Sequence, residues 1–184
     1  MKSDTATMAS NPPPATSPTS TPPEERLFAL LGESGALQIA TAESCTGGNV
    51  AARLTSVSGS SAYVQGGIVS YSNDSKARLL GVPREILDSV GAVSAECALA
   101  MAEGTRRAYT ADIGISTTGI SGPGGATARK PVGLVYIALS IGNESSVEEH
   151  RFIGDRHAIT LAATNRALAL LVDAVERALA PTDT

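Results

Sequence analysis

The sequence predicts an α/β fold, a three-layer α/β/α sandwich around a mixed sheet in a single domain. Three observations carry that expectation. Apolar runs of strand length alternate with stretches whose apolar residues recur every three or four positions, the pattern of a sheet covered by helices. The link from Gly125 to Gly133 is short enough to join an antiparallel pair, so the sheet should not be wholly parallel. Of 184 residues, 42% are apolar but only 3% are aromatic and none is Trp, which calls for an aliphatic, alanine-rich core with close helix–sheet contacts.

Each element follows in order. Glu24 to Gly32 reads as a helix with Leu27, Leu30 and Leu31 on one face. Leu37 to Ala42 is a short strand, and Thr46 to Val57 a helix with Val50, Leu54 and Val57 at helical spacing. Tyr63 to Ser72 is a strand whose Gly66 and Gly67 permit a bulge or a close neighbour. Ser75 to Leu80 is a helix ended by Gly81, and Pro83 suits the first position of another, 83 to 89. Ser94 caps a longer helix to Tyr109, with Cys97, Met101, Gly104 and Ala108 facing the core. Ile113 to Thr118 and Gly133 to Ser140 are strands, and Val147 to Phe152 is an edge strand. Arg156 to Leu179 is a long helix with Ile159, Ala163, Arg166, Leu170 and Val175 along one side.

Residues 1 to 23 hold six of the ten prolines, with many Ser, Thr and Ala and no apolar periodicity. They read as a disordered tail ahead of a folded domain from 24 to 180. No seven-residue apolar core follows Lys2, so the tail is not a secretory signal.

Composition also excludes function classes. A net charge of −4 gives no basic footprint, and few aromatics leave no stacking platforms, so nucleic acid is not an expected partner. No apolar run is expected to span a membrane. Two distant cysteines, Cys45 and Cys97, and two histidines, His150 and His157, make neither a metal pattern nor a disulfide framework.

The chemistry gathers at three turns. In A-E-S-C-T-G-G, residues 42 to 48, Ser44 stands where a strand hands over to a helix. The amides of Cys45, Thr46, Gly47 and Gly48 are the orphan donors of a first helical turn and can hold an oxyanion. Gly47 and Gly48 admit a substrate close to the backbone. The competing reading makes Ser44 an ordinary N-cap. Cys45 is a rival nucleophile, because a helix N-terminus lowers a thiol's pKa; against it, a single Cys is usually buried packing.

A serine needs a base. Y-S-N-D-S-K, residues 71 to 76, offers Lys76, competent if burial lowers its pKa, with Tyr71 as relay or support. The plainer reading is a solvated lysine in a first turn with Asn73 as a turn residue. T-T-G-I-S-G-P-G-G, residues 117 to 125, is a loop whose successive N–H groups make an anion nest, or else a structural turn. It matches neither a P-loop nor a dinucleotide fingerprint. Arg129 and Lys130 add positive charge near any phosphate, and Arg156, opening the last helix after Asp155, can do likewise.

Taken together, A-E-S-C-T-G-G (42–48), G-G-I-V-S-Y-S-N-D-S-K (66–76), G-V (81–82), G-A-V-S (91–94), T-T-G-I-S-G-P-G-G (117–125), K-P-V-G-L-V-Y-I-A (130–138) and F-I-G-D-R (152–156) resemble the CinA C-terminal domain family, the nicotinamide-nucleotide amidohydrolases. The resemblance covers about residues 24 to 180. It implies hydrolysis of the carboxamide of nicotinamide mononucleotide to nicotinic acid mononucleotide and ammonia. It also implies an α/β/α sandwich, no metal or organic cofactor, a cytoplasmic homo-oligomer, and the stand-alone form of a domain that many relatives join to a second one. By motif, Ser44 is the nucleophile, and Tyr71 and Lys76 share the base role. Gly119, Ser121, Gly122, Gly124 and Gly125 line the nucleotide pocket, with Asn73 and Arg156 as further substrate contacts. Residues 126 to 129 depart from the expected loop, and Thr160 stands where an arginine is expected. The alternative function is a non-catalytic nucleotide-binding or competence-associated regulatory domain.

Overall fold

The computed structural model describes residues 21–32 and 34–180. Its elements are α1 (Pro23–Leu31), β1 (Ile39–Glu43), α2 (Asn49–Thr55), β2 (Val64–Val69), α3 (Asn73–Leu80), α4 (Arg84–Ser89), α5 (Ala95–Tyr109), β3 (Ile113–Gly119), β4 (Leu134–Ile141), β5 (Glu144–Arg151) and α6 (Arg156–Leu179). The expected tail falls mostly on residues 1–20, outside the described residues.

The strands form one sheet in the order β2-β1-β3-β4-β5. β1 runs parallel to both β2 and β3, Ile39 pairing with Val64 on one side and Ile113 on the other. β3–β4 and β4–β5 are antiparallel, so the sheet is mixed, as the short 125–133 link implied. Helices cover both faces. On one, α1, α2 and α6 pack Leu27, Leu31, Val50, Leu54, Ile159 and Leu171 against Ile39, Ile113 and Val135. On the other, α5 lays Cys97 and Met101 beside Ala42, and Ala98 and Ala102 beside Ala138. Small residues let this layer come close. A Cβ on Gly104 would lie 2.0 Å from the Leu80 carbonyl oxygen, and one on Gly114 2.1 Å from that of Ala102.

Two expectations need correction. α2 begins at Asn49, not at 46, because Gly47 (φ +63) and Gly48 (φ +101) hold left-handed backbone that no helix contains. Ala108 is exposed near the end of α5, where Thr105 faces the core instead. α6 is long and apolar enough by composition to cross a membrane. In the fold more than half of that stretch is buried inside the protein. Its alanines and leucines fill the space between α1, α2 and the sheet.

The chain leaves β1 over the α2 face to reach β2, then returns past β1 over the α5 face to reach β3. The C-terminal ends of β1 and β3 therefore flank a topological switch point, where open α/β sheets leave a crevice for ligands.

Candidate active site

Ser44 is the first residue beyond β1, and its amide extends the sheet by donating to the Thr117 carbonyl at 2.9 Å. The chain then turns through the two left-handed glycines. That turn folds α2 back onto the carboxylate of Glu43. Glu43 Oε2 accepts from Thr46 Oγ1 at 2.6 Å, from the Gly48 amide at 2.9 Å and from the Val50 amide at 3.1 Å. Oε1 accepts from the Ala51 amide at 2.8 Å. Glu43, not Ser44, thus satisfies the orphan donors of α2. The N-cap reading of Ser44 fails, and its hydroxyl is left for other work.

The same bonds narrow the expected oxyanion donors. The Gly48 amide is taken by Glu43, and the Gly47 amide bends toward the Ser44 carbonyl at 3.2 Å. Among the described residues the Cys45 and Thr46 amides have no acceptor. The positive end of α2 is likewise met by the Glu43 charge. Any oxyanion site built from this turn is therefore two amides, those of Cys45 and Thr46.

Lys76 reaches Ser44 from α3. Ser72 caps that helix, accepting from the Ser75 amide at 3.1 Å, and Lys76 follows at its fourth position. Long helical side chains lean back over the preceding turn. The amine accordingly donates to the Ser70 carbonyl at 2.6 Å and lies 2.9 Å from Ser44 Oγ. Lys76 is only 1% exposed, so the solvated-lysine reading fails. Burial lowers its pKa from the ordinary lysine value, against smaller opposing contributions from the thiols of Cys97 and Cys45. Among the described residues no carboxylate bonds to it.

Cys45 is 8% exposed, and burial pushes its thiol up to about 12. A thiol so placed is not a thiolate near neutrality, so the rival nucleophile is disarmed.

Tyr71 stands farther out, 64% exposed. Its hydroxyl accepts from Arg156 Nη2 at 2.9 Å, while Arg156 Nη1 donates to the Gly122 carbonyl at 2.8 Å. No hydrogen bond joins Tyr71 to Ser44 or Lys76, so it is not poised here as a relay between them. The chain Tyr71–Arg156–Gly122 instead ties the end of β2, the start of α6 and the glycine-rich loop together.

One cleft of about 290 Å³ collects these groups. Ser44, Cys45, Tyr71, Asn73, Lys76, Gly119, Ser121, Gly122, Gly124, Gly125 and Arg156 all line it. Thr46, Gly47 and Gly48 do not. Ala92, Val93, Thr118 and Ile120 complete the walls. Thr118 and Ile120 belong to the 117–125 loop already read as an anion nest, whereas the sequence reading gives Ala92 and Val93 no role, although they sit in the quoted G-A-V-S stretch. Arg129 and Lys130 do not line the cleft, and the Lys130 ammonium donates to the Val90 carbonyl.

This geometry has relatives. A family model described as CinA C-terminal domain matches residues 21–175. The chain belongs to the CinA C-terminal domain family. A CinA-like protein of Dictyoglomus thermophilum is 51% identical over 148 residues, 80% of this chain and 36% of the relative. One of Geobacter sp. is 54% identical over 133 residues, 72% of this chain and 32% of the relative. The chain thus spans about a third of the length of the curated relatives it matches. The crystal structure of competence/damage inducible protein CihA from Agrobacterium tumefaciens superposes with a TM-score of 0.80 at 42% identity, covering 84% of this chain and 93% of that one.

Within this CinA-type domain, the two departures noted in the sequence fall at the rim. Residues 126–129 are exposed, and a turn in which Thr127 and Lys130 exchange backbone bonds closes the segment. Thr160, on the first turns of α6, places its hydroxyl 3.4 Å from Ser121 Oγ and 3.5 Å from the Cys45 carbonyl. The hydroxyl there lies between the glycine-rich loop and the Ser44 turn.

Proposed function

We propose that this CinA-type domain is a serine amidohydrolase that converts nicotinamide mononucleotide to nicotinic acid mononucleotide and ammonia. The observation that carries the chemistry is the 2.9 Å approach of a buried lysine amine to the Ser44 hydroxyl. A neutral amine there accepts the hydroxyl proton as Oγ attacks the carboxamide carbon. The amides of Cys45 and Thr46 take the developing oxyanion. Lys76 then returns the proton to the leaving nitrogen, the C–N bond breaks, and ammonia departs. Water attacks the resulting ester, gives its proton to Lys76, and frees the acid and Ser44. No step calls on a metal or organic cofactor.

The substrate rests on the family resemblance, supported by the cleft's character. The Arg156 guanidinium and the amides of the glycine-rich loop suit an anionic group at the rim, while Ser44 and Lys76 lie at the floor. We also propose that the domain acts as a homo-oligomer in the cytoplasm, as the resemblance implies.

Incubating the protein with nicotinamide mononucleotide, with ammonia and the acid product both measured, tests the reading. Turnover by the wild-type chain and none by Ser44→Ala supports it. A second reading keeps the cleft as a nucleotide-binding site without turnover in a competence-associated domain, the association alone coming from the name of the Agrobacterium tumefaciens relative. Binding of the nucleotide by folded wild-type chain without ammonia release would select that reading.

A further inference from the structure

We propose that Glu43 is the positioning residue of the Ser44 nucleophile, its carboxylate fixing the turn that holds Oγ in front of Lys76. The inference rests on the serine-nucleophile reading above and adds a residue that reading does not use.

Glu43 is buried, 1% exposed, and a buried carboxylate persists only where its oxygens are satisfied. Here four donors converge on it and all four come from the turn and the helix that follow Ser44. Thr46 Oγ1 also lies 2.7 Å from Thr117 Oγ1. An ionised carboxylate can only accept, so Thr46 donates to Glu43 and Thr117 must donate to Thr46. Thr117 meanwhile accepts from the Ser44 amide through its carbonyl. Ser44 is therefore held on both sides, by the sheet through its own amide and by the Glu43 network through Thr46. The same network keeps the Gly48 amide engaged and leaves those of Cys45 and Thr46 free.

The role demands a carboxylate at this length. Glutamine offers one acceptor and one amide group, and the amide would face either the Ala51 N–H or the three donors at Oε2, donor against donor. A helix cap alone would need far less. Ser or Asp serves as a cap elsewhere in the chain, as Ser72, Ser94 and Asp155 do.

The test reads the nucleophile without reference to its natural substrate. Wild-type, Glu43→Gln and Thr46→Val chains are treated with phenylmethanesulfonyl fluoride, well below each melting temperature. Ser44 Oγ displaces fluoride, and peptide mapping reports the labelling rate at Ser44. We expect Glu43→Gln to be labelled about 10²-fold more slowly, the scale of a misplacement near 1 Å. Thr46→Val, which removes one hydroxyl and keeps the amide, should slow labelling by a smaller factor. Wild-type labelling rates in either folded variant, with only the melting temperature lowered, would reduce Glu43 to a helix cap and overturn the proposal. If Glu43→Gln does not fold, Thr46→Val decides alone. An unlabelled Ser44 in the wild-type chain overturns the serine-nucleophile reading and this proposal with it. Normal labelling without ammonia release from nicotinamide mononucleotide overturns only the substrate.

Discussion

Two adjacent residues, Ser44 and Cys45, divide the work by direction. The hydroxyl meets an amine at 2.9 Å, whereas the thiol is turned into packing where burial raises its pKa to about 12. Ser44→Ala should therefore abolish turnover, and Cys45→Ala should keep kcat within a few fold, both read by ammonia release. On the proposed mechanism, Lys76 sets the pH dependence. Its folded pKa lies below the ordinary lysine value, so the amine is protonated and idle at low pH and becomes a base as pH rises through that lowered value. Activity should climb with pH along a single ionisation and reach a plateau below the pH at which a free lysine titrates. Lys76→Met should remove that limb together with activity, yet leave the melting temperature undiminished, because an amine held against its own desolvation contributes no stability there. A pH–rate profile and a thermal melt check the two halves of that expectation.

At the scale of elements, the turn from 44 to 48 shows what a sequence conveys and what it conceals. Two glycines before a helix announced a close backbone approach, and the seven-residue motif marked the place. That Glu43 would cap α2 was hidden. It depends on two successive left-handed residues swinging the helix start back onto a side chain seven and eight positions earlier. Capping patterns normally run forward from Ser, Thr, Asp or Asn over three residues, so this longer loop had no local signature. Tyr71 is similar: its place at the end of β2 was readable, but its bond to Arg156 joins positions 85 residues apart. Elsewhere two elements give direct tests. Gly104 lets α5 lie against the Leu80 carbonyl, so Gly104→Ala should destabilise the fold by about 1–3 kcal/mol in denaturant unfolding. Between β5 and α6, Arg166 donates to Glu148, which also meets His150, and these bonds hold the Glu148 carboxyl at about 2. A carboxyl lowered by folding gives stability that is complete above its ordinary value of 4.5 and fades as pH falls toward 2. Glu148→Gln should melt below wild type at pH 7, and the gap should narrow below pH 4.5 and close only as pH falls through about 2.

For the whole molecule, the order β2-β1-β3 and the two crossovers on opposite faces place the ends of three strands around one crevice. Alternating apolar periods made the layers legible, and the short 125–133 link made the antiparallel half legible. The loss of water around Lys76 was not legible, because no local pattern encodes it. It arises where α3 packs under α5, with Ala42, Leu80, Cys97 and Met101 filling the space nearby. On the proposed mechanism, the fold as a whole lowers the pKa of a surface-type residue so that it can serve as a base. That claim has a direct measurement. The chain holds three lysines, Lys2, Lys76 and Lys130, so NMR of lysine-labelled protein resolves each amine as pH is varied. The account predicts that the Lys76 amine loses its proton below the ordinary lysine value, in step with the rise of activity. Titration of Lys76 at the ordinary lysine value would contradict it.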